Sequence, residues 1–293
     1  VPPRSPPPPP PSFGELADQL LELAERHDVG CVLSHYLFED RDAAWIDALV
    51  ARGGVPLVLG ADCHLELSWT STEDYLAGFG SSRRAVRRAH AGMHRSGLAR
   101  LARRAAGTGP GERAAAALFG EYTATFDPQH GPPASLLGAV AEGRELDRVL
   151  FSVADNGGDA RSVMAALVHG DVLYPKFFGT SRPRRDYFAL AYCQLIEYAI
   201  AEGYRRIEFG GGTHQAKLFR GGRLRFALGV LFVRDRALRG AALAAGHQLS
   251  AAKISHFQTL AERWQIDHRA PPAPAIFSRP AGQRTSAPPN AER

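Results

Sequence analysis

Apolar residues recur along this chain with two periods, and the switches between them lay out its elements. Leu16, Leu20, Leu23 and Ala24 share one face of a helix expected over residues 13–27. A short apolar run at 29–33 reads as a strand, and Asp40 is placed to cap a helix reaching Arg52. Residues 55–60 and 63–69 read as strands. Ser71 and Thr72 ahead of Glu73 and Asp74 signal a helix start, giving a helix over 73–94. A Gly-Pro-Gly break at 109–111 separates this block from a second. There the pattern predicts helices over 112–125 and 133–142, then strands over 148–154 and 162–169 joined by an Asn156-Gly157-Gly158 turn. A last helix is expected over 237–264, with a break at Gly246.

The stretch from Val172 to Val233 carries the most information. A strand (172–178) runs into a basic loop (179–186) and a helix (187–202). A short strand (206–209), the Gly210-Gly211-Gly212 turn, a KLFRG segment and a final apolar strand follow. This order puts a cationic loop at a helix start and a glycine run at a strand end. Both are places where backbone N–H groups hold anionic ligands.

Composition narrows the class. The chain has 293 residues, enough for one large domain or two ordinary ones, and 45% are hydrophobic, enough for a real core. No apolar run is long enough to span a bilayer, and the proline-rich start (Pro6 to Pro11) lacks the apolar centre of a signal peptide. The three cysteines, Cys31, Cys63 and Cys193, are widely spaced and match neither a disulfide framework nor a zinc motif. Cys31 and Cys193 sit among apolar neighbours and are expected to be buried. A reducing, cytoplasmic setting follows. The net charge of +5 comes almost wholly from arginine, with only three lysines, so codon bias competes with selection for anionic partners.

The motifs LYPKFFG (173–179), YFALAYCQLIEYAIAEGYRRIEFG (187–210) and THQAKLFRG (213–221) resemble the FemAB-like peptidoglycan biosynthesis/recognition family. That family is a branch of the acyl-CoA N-acyltransferase (GNAT) superfamily. EDYLAGFGSSRRAVRRA (73–89) resembles the first half of such proteins. The chain departs at Gln215, a position often acidic in the family, and it lacks the Arg/Gln-x-x-Gly-x-Gly/Ala phosphate loop of acetyl-CoA-dependent members. The resemblance implies an α/β (α+β) fold with a GNAT-like mixed sheet flanked by helices. It implies one complete GNAT-like domain (109–268) after a partial or diverged first one (13–108), and the proline-rich ends (1–12 and 269–293) are expected to be disordered tails. It also implies direct transfer of an acyl or aminoacyl group to an amine, without a covalent enzyme intermediate.

Such a transfer needs a held donor, a deprotonated amine and a stabilised oxyanion. Arg182, Arg184 and Arg185 are candidates for donor phosphates, and Gly210, Gly211 and Gly212 for close backbone approach. The resemblance adds Lys217 and Arg220, with Tyr174 and Lys176 on the preceding strand. His214 and Glu208 are the candidate bases, and Tyr192 can donate to a leaving thiolate or ribose oxygen. Arg83, Arg84, Arg87 and Arg88, with Arg95, Arg100, Arg103 and Arg104, form a basic tract able to follow an RNA backbone. The expected co-substrate is acyl-CoA or aminoacyl-tRNA, with no tightly bound cofactor and no metal. The expected acceptor is a small-molecule or peptide amine. Two other readings stand beside this one: a non-catalytic module recognising a cell-wall precursor or peptide, and an RNA-binding protein.

Overall fold

The computed structural model describes residues 10–79, 84–96, 100–103, 149–155, 160–180, 185–264 and 271–278. The chain divides into two compact units that do not follow chain order. One comprises Val1–Asp62, Leu224–Arg263 and His268–Arg293; the other comprises Cys63–Arg223 and Trp264–Asp267. The boundary expected near residue 108 and the helices expected over 112–125 and 133–142 lie outside the described residues, as does the Asn156-Gly157-Gly158 turn.

The first unit opens with helix α1 (Phe13–Arg26), started by a Ser12–Glu15 capping box. Strand β1 (Cys31–Leu37), helix α2 (Glu39–Ala51) and strand β2 (Val55–Glu66) follow. Strand β8 (Arg223–Val233) lies between β1 and β2 and pairs antiparallel with β1. Ile46, Leu49, Val58, Leu228 and Val230 fill the core. Cys31 is exposed on edge strand β1, against the expectation of burial, because the strand alternates over its first five residues and Cys31, Leu33 and His35 face outward. Helix α7 (Arg236–Trp264) passes Gly246 without the expected break. A Cβ there would lie 2.6 Å from Leu57, so glycine serves close helix–sheet approach instead. Part of the expected disordered tail is helical: α8 (Ala275–Ser278) is held where the Glu39 carboxylate accepts from the Ala275 and Ile276 amides.

β2 is one strand where two were expected. Asp62, at the expected break, is buried and accepts from the Tyr36 hydroxyl rather than forming a turn. Residues 63–66 of β2 belong to the second unit and pair antiparallel with β7 (Arg206–Gly210). From there the order is β7, β6 (Val172–Thr180), β5 (Ala160–His169), β4 (Val149–Asp155) and β3 (Arg100–Arg103). All these neighbours are antiparallel except β6 and β7, so the sheet is mixed, as expected. The single helix expected over 73–94 is two, α3 (Thr72–Ala77) and α4 (Arg84–Ser96). Arg87 donates to the carbonyls of Leu76 and Phe79, satisfying backbone acceptors at and just past the end of α3.

Helix α5 crosses the β6–β7 connection in three runs: Arg185–Phe188, a π-helical Ala189–Gln194, and Leu195–Ala201. It ends at Gly203 with φ of 73°, where the Tyr204 amide donates back to Ala199. Leu190, Leu195, Ile196, Leu173 and Ile207 bury its inner face against the sheet. Helix α6 (His214–Leu218) follows β7. Among the described residues no helix is long and apolar enough to cross a membrane, and no group of side chains could hold a metal ion.

Candidate active site

The parallel strands β6 and β7 pair only at Val172–Arg206 and Leu173–Ile207. Beyond that point both walls are interrupted. β6 shifts register against β5 between Ala165 and Ala166, leaving Lys176 as the extra residue. β7 shifts against β2 between Cys63 and His64, leaving Phe209 as the extra residue. Bulges bend strands and re-aim side chains. Here they fall where the two strands stop pairing, so a wedge opens toward the C-terminal ends of β6 and β7. Tyr174, half-buried, and Lys176, exposed, lie on its β6 wall.

The start of α5 is fixed at this end by a buried polar group. The Ser162 hydroxyl donates to Asp186 over 2.9 Å and lies 2.7 Å from the Thr180 hydroxyl. Ser162 is wholly buried and Asp186 nearly so. A carboxylate in the first helical turn also complements the helix dipole. Arg185 opens α5, whereas Arg182 and Arg184 lie outside the described residues.

The glycine turn is held from inside. Gly210 and Gly212 both have φ of 69°, and Thr213 is left-handed at 44°. Lys217 is buried, and its ammonium donates to the carbonyls of Phe209, Gly210 and Gly211 at 2.9, 2.8 and 2.7 Å. Three donors meet three acceptors, so Lys217 is a clamp on the turn rather than the ligand-facing cation expected from the motif. Its partner in that motif is also turned inward. Arg220 is 8% exposed, donates to the Ala216 carbonyl, and stacks 4.5 Å over Tyr192 and 5.0 Å over Phe188.

Tyr192 lies in the π-helical run of α5, a distortion frequent at functional sites. Its ring packs against Tyr187, Phe188 and Phe209. Its buried hydroxyl meets no partner at full hydrogen-bond geometry among the described residues, though the Tyr187 and Thr213 side chains lie close enough to act on it. Burial, with Tyr187 beside it, raises its pKa well above the ordinary phenol value, against weaker downward pulls from Thr213 and Arg220. Tyr192 therefore keeps its proton at every physiological pH. The next residue, Cys193, has its thiol pushed up to about 12, mainly by burial, and is no nucleophile.

Glu208 is buried on β7 and held 3.2 Å from Arg206, which also meets Glu66 at 2.5 Å. His64 stands opposite Glu208 in the β2–β7 register. His214 sits elsewhere, after Thr213, lining an open hollow of about 490 Å³ with Thr213, Gln215, Ala216, Phe219 and Trp264. Of the two candidate bases, half-buried His214 lines the hollow and buried Glu208 is engaged with a guanidinium.

Sequence reasoning missed the Ser162–Thr180–Asp186 anchor, although Asp186 in the first turn of a helix is a readable signal. It also missed Glu197, whose carboxylate meets His90 at 2.6 Å and His94 at 3.0 Å and so ties α4 to α5. The i, i+4 spacing of the two histidines on an amphipathic helix was the available clue.

A comparison with curated proteins finds no match. Among solved structures the chain is similar to FemX, with 11% identity over 78% of each chain and a TM-score of 0.55. It is similar to the C-terminal domain of a putative lysylphosphatidylglycerol synthetase from Agrobacterium fabrum, with 12% identity, 82% of this chain and 79% of that one, and a TM-score of 0.55. L-PGS from Bacillus licheniformis aligns at 12% identity over 81% and 78% of the two chains, with a TM-score of 0.52. At these identities the likeness is one of fold. The family model for FemAB-like proteins, described as peptidoglycan biosynthesis/recognition, matches residues 12–261, and the chain belongs to that family.

Proposed function

We propose that this protein is an N-acyltransferase that moves an acyl or aminoacyl group from coenzyme A or tRNA directly to an amine. The observation that carries this reading is the wedge between β6 and β7. Strand-edge peptide groups that lose their neighbour need other partners. An extended donor rich in amides supplies them, and its reactive carbonyl would then lie among the wedge, the glycine turn and α5. Tyr192, kept protonated by burial, fits the acid that gives its proton to the departing thiolate or ribose oxygen. His214, beside Thr213 on the open hollow, fits the base that takes the proton from the acceptor ammonium. Buried, guanidinium-bound Glu208 fits a positioning role better than that of a base. The FemAB-like family membership supports the same transfer chemistry. Exposed Arg84 and Arg88 on α4, in the same compact unit, favour a polyanionic donor such as tRNA.

The test is calorimetric titration of the full chain with coenzyme A and, separately, with a mixed aminoacyl-tRNA pool, with deacylated tRNA as control. Saturable binding of coenzyme A, or of charged over uncharged tRNA, is expected. Binding of neither would overturn the reading in favour of a non-catalytic recognition module. Equal binding of charged and uncharged tRNA would point to plain RNA binding.

A further inference from the structure

The three hydrogen bonds of Lys217 determine more than the shape of the turn. In a planar trans peptide the carbonyl of one residue and the N–H of the next point in opposite directions. No described peptide bond is cis. Drawing the Gly210 and Gly211 carbonyls onto the Lys217 ammonium therefore turns the Gly211 and Gly212 N–H groups away from it, toward the outer side of the turn. Both glycines are exposed, and neither amide has an acceptor among the described residues. Gly210 differs, since it is matched to Cys63 in the β2–β7 ladder. Two adjacent, outward amides backed by a buried ammonium form an anion-receiving concavity, with dipoles and fixed charge acting in the same sense. The lysine's positive charge lies behind the peptide planes, so an anion on the outer face meets N–H groups first and is attracted through them.

We propose that the Gly211 and Gly212 amides form a phosphate-accepting site and that Lys217 is its positioning residue. Resting on the transferase reading above, the phosphate would be one carried by the donor, coenzyme A or tRNA. The site would supply the phosphate contacts of the glycine-rich loop that this sequence lacks elsewhere.

The experiment is an amide-resolved titration of the full chain, labelled with 15N-glycine, by inorganic pyrophosphate at constant ionic strength. Gly170 and Gly203, exposed glycines remote from the turn in sequence, serve as internal controls. The expected result is a saturable downfield shift of the Gly211 and Gly212 amide protons that exceeds any shift of the controls. In a folded Lys217→Met variant the apparent affinity should fall at least tenfold. If that variant does not fold, the wild-type titration decides. Unmoved Gly211 and Gly212 signals, or shifts no larger than those of Gly170 and Gly203, would overturn the site. Undiminished affinity in folded Lys217→Met would overturn the role given to the lysine. Silent glycines in a chain that still binds coenzyme A or aminoacyl-tRNA would remove this site alone. Silent glycines in a chain that binds neither would remove the transferase reading with it.

Discussion

Tyr192 separates catalysis from stability at the scale of a single residue. Its hydroxyl is buried without a partner at full hydrogen-bond geometry among the described residues, so Tyr192→Phe removes an incompletely satisfied polar group. Unfolding by urea should show a variant as stable as the parent or up to about 1 kcal/mol more stable. Transfer should nonetheless fall about 100-fold if the phenol is the acid. A loss of stability matching the loss of activity would show a structural role instead. The raised phenol pKa also has a signed consequence. The unfolded chain releases this proton near the ordinary tyrosine value, while the folded chain retains it to higher pH. The folded state then binds more protons, and stability should decline as pH rises from about 10, a decline that Tyr192→Phe should lessen. The cysteines give a third residue-scale expectation. A thiol reagent should modify Cys31 quickly in the native protein and leave buried Cys63 and Cys193 until unfolding. The motif drew attention to Lys217, Arg220 and Tyr192, and the structure brings all three to the glycine turn and the π-helical run of α5. Their orientations were not legible, because a sequence does not reveal whether an ammonium faces a ligand or three carbonyls of its own turn.

Among elements, the decisive features are two strand bulges and one π-helical run, none of which has a one-letter signature. The order of β5, β6, α5 and β7 was legible, because each has a clear period and a glycine or charged boundary. The wedge was not, since a single extra residue at Lys176 or Phe209 leaves the apolar pattern nearly intact. Charge at a helix end misled in one place: the helix expected over 73–94 reads as continuous in composition, yet Arg87 reaches back to cap α3. The Ser162–Asp186 bond links β5 to the start of α5 and should be worth measuring. Ser162→Ala leaves a buried carboxylate short of a donor and is expected to lower stability by about 1.5–3 kcal/mol in urea titration. It should also weaken donor binding, because α5 begins at the wedge. Unchanged stability would mean that the Ser162–Asp186 bond is not what holds the start of α5.

For the whole molecule, chain order and compact units part company. β2 and α7 each contribute residues to both units, so division by composition shifts along the sequence could not locate them. Pairings between strands far apart in sequence, such as β2 with β7, decide the units, and these follow from sheet register rather than from local pattern. Family membership was legible because the motifs from Leu173 onward fall on the elements that build the wedge and the turn. The central claim, direct transfer to an amine, is tested most directly by following a labelled group. The full chain would be incubated with labelled acetyl-coenzyme A or with a labelled aminoacyl-tRNA pool, together with a set of primary amines. The account predicts chain-dependent appearance of label on an amine, from one donor class, with Tyr192→Phe reducing the rate about 100-fold. A donor that binds saturably while its label never reaches any amine, in parent or variant, would contradict it.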